Sequence, residues 1–472
     1  MDDVRSRHSS SATAGESFAR NVGLLCVGTL LLTMAFLLDR AGYDVIVGGI
    51  VALVIGLVGY PALRSFARRI SEPHLFALLY WALIAKLFTS IGRYLMVYVV
   101  YDGVGDSAVY DENGWLFAQE VRKGLIFPDI PLPEGSAGQI ARLTGYLYAI
   151  TGRSIFGGFF IYSLFAYCGM LLFARGVQHG VPEIDTRQLY RVVLFFPSLL
   201  FWPSAIGKDA VMMLLLGVSM FGAGKLLGPT AHPAGLIPFG LGLGGMLLIR
   251  PHVGLMSVVA LTVAIGIALI TQTRSEAKSG RARFVRGLAL IVVLMGSVVA
   301  AQSVTLLFSE HAGEATSTSD ALALTEKRTS VGESKFKPVA VTSPASFPTA
   351  FVSTFFRPFP WEVRNGPTAI AGLESLILAS LLAISLPRFR SSGRLLWRRP
   401  IFVFSAAYIL MFVVAFSYIG NVGILARQRT QALPFVLMFA ALPLRRRAES
   451  SSDGITGNLA SHTTFPAKVS PP

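Results

Sequence analysis

Apolar residues run along this chain in long unbroken blocks, separated by short joints that are basic or rich in Gly and Pro. That spacing marks an integral membrane protein rather than a soluble core, whose apolar positions would alternate or recur on one face. A bilayer core about 30 Å thick takes about 20 residues of helix per crossing. Candidate spans fall at 22–38, 44–62, 75–100, 155–174, 191–206, 209–227, 235–249, 253–271, 287–307, 368–387, 400–418 and 431–444. Several are short for a full crossing, and the pair around 191–227 has the proportions of a partly re-entrant hairpin. The expected fold is all-α and polytopic, with about twelve transmembrane helices in a domain over 22–444. Residues 1–21 and 445–472 are expected to be disordered tails, because stretches rich in Ser, Thr, Gly, Ala and Pro bury too little apolar surface to order themselves. The first block is followed by Asp39, Arg40 and another span rather than by a small-residue cleavage site, which argues against a cleaved signal peptide. Two joints are long, about 101–154 and 308–367, and loops of that length usually carry function.

Composition agrees: 53% of residues are apolar and 14% charged, while the net charge is +15. In a soluble chain so basic a balance would suggest nucleic acid; in a membrane protein it is first a matter of topology. With the N-terminus inside, the inner joints hold 24 Lys/Arg against 9 Asp/Glu, and the outer joints 15 against 16. The whole excess is therefore cytoplasmic. Runs such as Arg64/Arg68/Arg69, Arg281/Arg283/Arg286, Arg394/Arg398/Arg399 and Arg445/Arg446/Arg447 read as stop signals facing an anionic inner leaflet, not as a nucleic-acid surface. The location expected is the plasma membrane, with both termini cytoplasmic. Cys26 and Cys168 both lie inside apolar blocks, so neither a disulfide framework nor a cysteine metal site is expected.

Candidate chemistry collects on the outer side. The first long loop opens with Asp102, Asp106, Asp111 and Glu112 within eleven residues, and Trp115, Leu116, Phe117 and Val121 then take the spacing of one helical face. Such a helix would lie flat in the interface with its acidic start just above the membrane. Asp106 and Tyr110 share a face if the turn is helical. Clustered carboxylates can deprotonate a sugar hydroxyl or hold a divalent cation such as Mg or Mn, although Asp106 or Ser107 as a plain helix cap is the simpler alternative. Short outer joints also carry Lys208, Arg250 with His252, Arg357 with Trp361, and Arg427 with Arg429, against the positive-inside bias. Guanidinium groups grip phosphate in a bidentate fork, and a lipid phosphate at the outer leaflet would lie at that depth. Within the spans, Lys86 and Arg93 share a helical face and Glu374 offers either a counter-charge; buried charges there face a bundle interior or a wet cavity. No GxxxxGK[ST], HExxH or GxSxG motif is present, which removes support for an ATP-driven pump, a zincin and a serine hydrolase.

The loop GDSAVYDENGWLFAQEVRKG resembles the acidic start of the first large outer loop in the GT-C superfamily of polyprenyl-phosphate-sugar-dependent glycosyltransferases. The segments ARLTGYLYAITG, FFPSLLFWPSAIGKDAVMMLLLG, IRPHVG, FFRPFPWEVRNG and GNVGILARQRTQALPF resemble those of poorly characterised actinobacterial polytopic proteins linked to cell-surface polysaccharide. The resemblance implies a membrane glycosyltransferase that moves a sugar or glycan from a polyprenyl-linked donor to a glycan acceptor at the outer face. In it, Asp106 would take the acceptor proton, and Asp111 or Glu112 would be the second carboxylate. The outer arginines fit equally a Wzy-type polymerase. A transporter or flippase of lipid-linked saccharide, using Lys86, Arg93 and Glu374 as a relay, and a non-catalytic assembly scaffold are the readings from other classes.

Overall fold

The computed structural model describes residues 42–271, 335–364 and 366–444, with a few positions near 25, 28 and 280–291. The candidate spans at 22–38 and 287–307 lie largely outside the described residues, as do both tails and most of the second long loop. The described chain is helical, its β-structure limited to an isolated bridge between Lys335 and Asn421.

Six of the described helices are long and apolar enough to cross a membrane. They comprise α1 (Tyr43–Arg69), α2 (Phe76–Leu95, extended by a π turn over Met96–Val100), α5 (Ile155–Gly180), α8 (Lys208–Leu227), α10 (Pro251–Thr271) and α12 (Gly366–Ser391). Two apolar helices are shorter, α9 (Leu236–Ile249) and α14 (Pro400–Phe416). Between them stand α3 (Asp106–Arg122), α4 (Ser136–Thr151), α6 (Thr186–Phe195), α7 (Pro197–Phe201), α11 (Phe347–Phe356), α13 (Gly393–Arg398), α15 (Val422–Arg429) and α16 (Leu433–Leu437).

Two of the expected spans are not single helices. The 191–206 block is split into α6 and α7 by Phe196, which is extended ahead of Pro197. At 1.5 Å rise, the ten residues of α6 reach about 15 Å, half a bilayer core. The 431–444 block is α16 followed by a 3-10 turn over Met438–Ala441. Leu433, Phe435, Leu437, Met438, Ala440 and Leu442 are fully buried. Its apolar character therefore serves a protein interior, the setting in which irregular backbone is tolerated at membrane depth.

The densest packing is between α5 and α8. Gly169 and Gly176 on α5 meet Gly217 and Gly224 on α8 so closely that a β-carbon at any of them would fall on backbone atoms of the facing helix. Gly222 and Gly242 bring α9 onto the other side of α8 in the same way. Lipid tails are as apolar as leucine, so helices in a membrane gain by such backbone approach and by polar contacts rather than by leaving water. The contacts are present: Tyr167 on α5 donates to the Leu79 carbonyl of α2 at 2.6 Å, and Ser90 and Ser163 join the same two helices. Lys86, fully buried on α2, donates to the Leu199 and Leu200 carbonyls at 2.8 and 2.9 Å, and Thr89 donates to Leu200 at 3.0 Å. These groups satisfy the carbonyls that end the short helix α7. Glu374 accepts from Ser198 at 2.6 Å and from Arg429 at 3.4 Å. Among the described residues Lys86 and Glu374 thus have separate partners.

The first long loop folds into a helical hairpin of α3 and α4. Gly114 and Gly145 set their approach, the former against Thr144 and Ala141 and the latter against Phe117 and the Gly114 carbonyl. The buried face of α3 is Ser107, Tyr110, Asp111, Gly114, Phe117 and Ala118. The expected apolar face is thereby divided: Phe117 is buried against Tyr146 of α4, whereas Leu116 is exposed and Trp115 lies under Arg122. An apolar face was available to a partner helix as well as to a lipid surface, and α4 takes part of it.

The seam makes a direct expectation. Gly217→Leu, which must push backbone from backbone, costs about 3 kcal/mol or more and yields little monodisperse protein in detergent. Gly240→Ala on α9, whose β-carbon meets nothing within 4 Å, leaves the melting temperature unchanged or slightly raised. Size-exclusion profiles and thermal unfolding of the two variants check the contrast.

Candidate functional site

Two helices begin with a glycine in extended backbone followed by an acid in the first turn: Gly105 before Asp106 on α3, and Gly207 before Asp209 on α8. A carboxylate there faces the positive end of the helix dipole, worth about 0.3–1 kcal/mol at an exposed site. Neither Asp106 nor Ser107 caps α3; Ser107 instead donates to the Ile206 carbonyl at 2.9 Å, which fixes the start of α3 beside the start of α8. The last turns of α2 bring Arg93, and α15 brings Arg427. Asn421 starts α15 by accepting from the Gly423 and Ile424 amides at 2.9 and 3.2 Å. The end of the second long loop backs this turn: Phe336 donates to the Gly420 carbonyl at 2.8 Å, and Val341 to the Ser417 hydroxyl at 3.2 Å.

These elements enclose a cavity of about 370 Å³ whose wall includes Arg93, Tyr101, Asp106, Trp202, Asp209 and Arg427. A chain of charges runs through it. Arg250 donates to Asp209 Oδ1 at 2.7 Å, Arg427 Nε donates to Asp209 Oδ2, and Arg427 Nη2 donates to Asp106 Oδ2 at 3.0 Å. Asp209 and Arg250 are buried, whereas the Asp106 side chain is 56% exposed. The field of Asp209, reinforced by hydrogen bonds to both acids, holds the Arg427 guanidinium well above its ordinary pKa. Burial first, and then the Asp106 charge, pushes the Tyr110 phenol upward, so it stays protonated beneath the cluster.

The cations outnumber the acids. Arg93 has no carboxylate partner among the described residues: its guanidinium lies 5.1 Å from the rings of both Phe201 and Trp202, and Nη1 reaches Met96 Sδ at 3.5 Å. Its Nε is buried without a hydrogen-bond partner among the described residues. Lys208, half-buried at the start of α8, adds positive charge beside Asp106 and Asp209. A wall built this way favours an anion, and a guanidinium with free N–H groups favours a planar or tetrahedral oxyanion.

Other residues singled out in the sequence lie elsewhere. Asp111 is buried one turn beyond Ser107 on α3 and off the cavity wall, where it accepts from Tyr148 at 2.6 Å and from Arg153 at 2.7 and 3.1 Å. That hydrogen bond raises the Arg153 pKa, while burial and the Asp111 charge raise that of Tyr148. Asp102 and Glu112 are exposed and off the cavity wall. Arg357 pairs with Glu362 at 3.3 Å, donates to the Lys337 carbonyl at 2.8 Å and lies over Phe336. Trp361 is exposed and stacked on Phe359. His252 lies against Phe416. Arg429 is fully buried, donating to the Phe355 and Arg357 carbonyls at 3.0 and 2.8 Å. Its desolvation lowers its pKa against the pull of Glu374, and its part is to tie α11, α12 and α15 together.

Sequence reasoning placed Arg93 in an intramembrane relay rather than on this wall, and gave Asp209 and Trp202 no role. Arg93 is a charge inside an apolar block, Asp209 stands at the start of one, and Trp202 lies in the split block. What the sequence lacked was the pairing. Among the described residues no group of three or more His, Cys, Asp or Glu is arranged to hold a metal ion. No protein-family model matches the chain, and neither a curated protein nor a solved structure matches it.

Proposed function

We propose that this chain is a membrane glycosyltransferase that moves a sugar or glycan from a polyprenyl-phosphate-type donor to a glycan acceptor, with its cavity at the outer face of the plasma membrane. The full chain would have about twelve spans and cytoplasmic termini. The observation that carries the reading is the cavity itself: a half-exposed carboxylate, Asp106, stands beside Arg427, with Arg93, which has no ion-pair partner among the described residues, on the same wall. Glycosyl transfer needs both halves. The acceptor hydroxyl must lose its proton as its oxygen bonds to the anomeric carbon, and the bond from that carbon to the phosphate oxygen must break with its electron pair leaving on the phosphate.

Asp106 is the group assigned to the proton. It is ion-paired with Arg427, and its exposure leaves it within reach of a hydroxyl. Arg427 and Arg93 are assigned to the phosphate, where fixed cations act most strongly on the charge that develops as the bond breaks. Asp209 and Arg250 act from behind, orienting the Arg427 fork; they are positioning residues. Tyr101 and Trp202 supply aromatic wall against which a sugar ring can lie. Arg357, Trp361 and Arg429, placed away from this wall, are left out of the mechanism. A polymerase joining lipid-linked oligosaccharides would use the same two halves.

Purified full-length protein is assayed with a panel of polyprenyl-phosphate and polyprenyl-pyrophosphate sugars. Asp106→Asn lowers transfer by about a hundredfold or more with unchanged thermal unfolding, within the range lost with a general base; near-normal transfer sinks the assignment. Arg427→Ala raises the apparent KM for the lipid donor by about tenfold or more, the usual worth of a charge-assisted contact. An unchanged KM would remove Arg427 from the phosphate site.

A further inference from the structure

At the end of the bundle away from the cavity, α12 stops, α13 turns across, and α14 begins. Gly180 at the end of α5 and Gly228 at the end of α8 mark the same end, since Gly180 abuts Ile401 of α14 and Gly228 abuts the His179 carbonyl. Arg388 pairs with Asp185 at 3.1 Å and donates to the Leu442 carbonyl at 2.9 Å, and Arg399 pairs with Glu183. Those two arginines are accounted for. Arg390, Arg394 and Arg398 are exposed and have no acidic partner among the described residues. They line a polar basin of about 700 Å³ together with Ser391 and Ser392.

Gly393, on the wall of that basin, also lies on the wall of a second hollow, an almost wholly apolar groove of about 720 Å³. The groove runs between α11, α12, α13 and α14, lined by Phe351, Leu386, Phe402, Ala406 and Phe439 among others. Trp397 stands on its wall with 77% of its surface exposed, one residue from Arg398. An apolar groove that shares Gly393 with a basin of guanidinium groups lacking acidic partners among the described residues, with a tryptophan on the groove wall, is matched by an amphiphile. Its chain lies along the groove and its anionic head meets the arginines, the arrangement that membrane interfaces favour for Trp and Arg alike.

We infer that this groove and basin form a specific site for a phosphate-bearing anionic lipid of the leaflet opposite the cavity, with the headgroup on Arg390, Arg394 and Arg398 and an acyl or prenyl chain in the groove. A flat lipid-facing surface would accept any lipid. The concavity and the three exposed guanidinium groups select one by charge. This inference does not rest on the transferase reading.

The full chain is reconstituted into phosphatidylcholine vesicles carrying a rising fraction of brominated lipid, and quenching of Trp397 is taken as the difference between the wild type and Trp397→Phe. Half-maximal quenching is expected at a mole fraction at least about tenfold lower for brominated phosphatidylglycerol than for brominated phosphatidylcholine, since each basic residue near the surface contributes about fivefold and three act together. The triple variant Arg390→Gln, Arg394→Gln, Arg398→Gln brings the two curves together. Ala406→Phe, which fills the groove, weakens quenching by the anionic lipid. Equal curves for the two lipids in the wild type overturn the inference, and that comparison needs no variant of the basin. So does a preference that survives the triple substitution. Soluble glycerol phosphate at millimolar concentration leaves quenching unchanged; if it displaced the lipid, the basin would be a site for free phosphate esters instead.

Discussion

Everything at the candidate site hangs on the backbone contact between α5 and α8. Four glycines, paired across the seam as Gly169 with Gly217 and Gly176 with Gly224, hold the two helices closer than any side chain would allow. Nothing in a bilayer pushes apolar helices together as water does, so close approach and buried polar contacts must supply the adhesion. With α8 held at that distance, its first turn places Asp209 at a fixed depth. Arg250 and Arg427 reach Asp209 from two other elements, and Asp106 is reached through Arg427. A shift of α8 would displace the acid on which both arginines converge.

The charge chain has a physical logic of its own. Asp209 is buried and would be costly alone; two guanidinium groups compensate it, and each N–H that it accepts fixes an arginine in one geometry. Asp106 and Arg93 differ from this pair. The first is half in solvent, and the second lies across aromatic rings without an ion-paired acid among the described residues. The buried members hold the arrangement, and the exposed members are left to meet a ligand. The same division separates Arg429, which is spent on carbonyls and Glu374, from Arg427 two residues earlier on α15. Periodicity explains it: on a helix, residues two apart point in different directions.

Some of this was legible in the chain before folding. The acidic opening of the first long loop and the position of Lys208, Arg250 and Arg427 in short joints follow from charge against the apolar pattern, and all of them except Asp102, Asp111 and Glu112 come to the cavity or to Asp209 on its wall. The 191–206 and 431–444 blocks misled for one reason: apolar residues look alike whether they face lipid or protein. Leu433 to Leu442 are buried in protein, whereas the exposed Ile370, Leu373 and Ile384 of α12 keep an equally apolar face outward. Trp115 and Leu116 misled similarly, since an apolar helical face does not say whether its partner is a membrane or α4.

The sequence by itself determined that this chain carries helices long and apolar enough to cross a membrane, and which charged residues stand within or beside its apolar blocks. Those properties are sums over neighbouring residues, and the hydrophobic effect reads them without reference to the fold. Only the tertiary structure decided which charges meet. Arg427 lies 321 residues from Asp106 and 218 from Asp209. A hydrogen bond asks for a fit within a few tenths of an ångström, and over such separations that fit is set by how the glycine-faced helices pack.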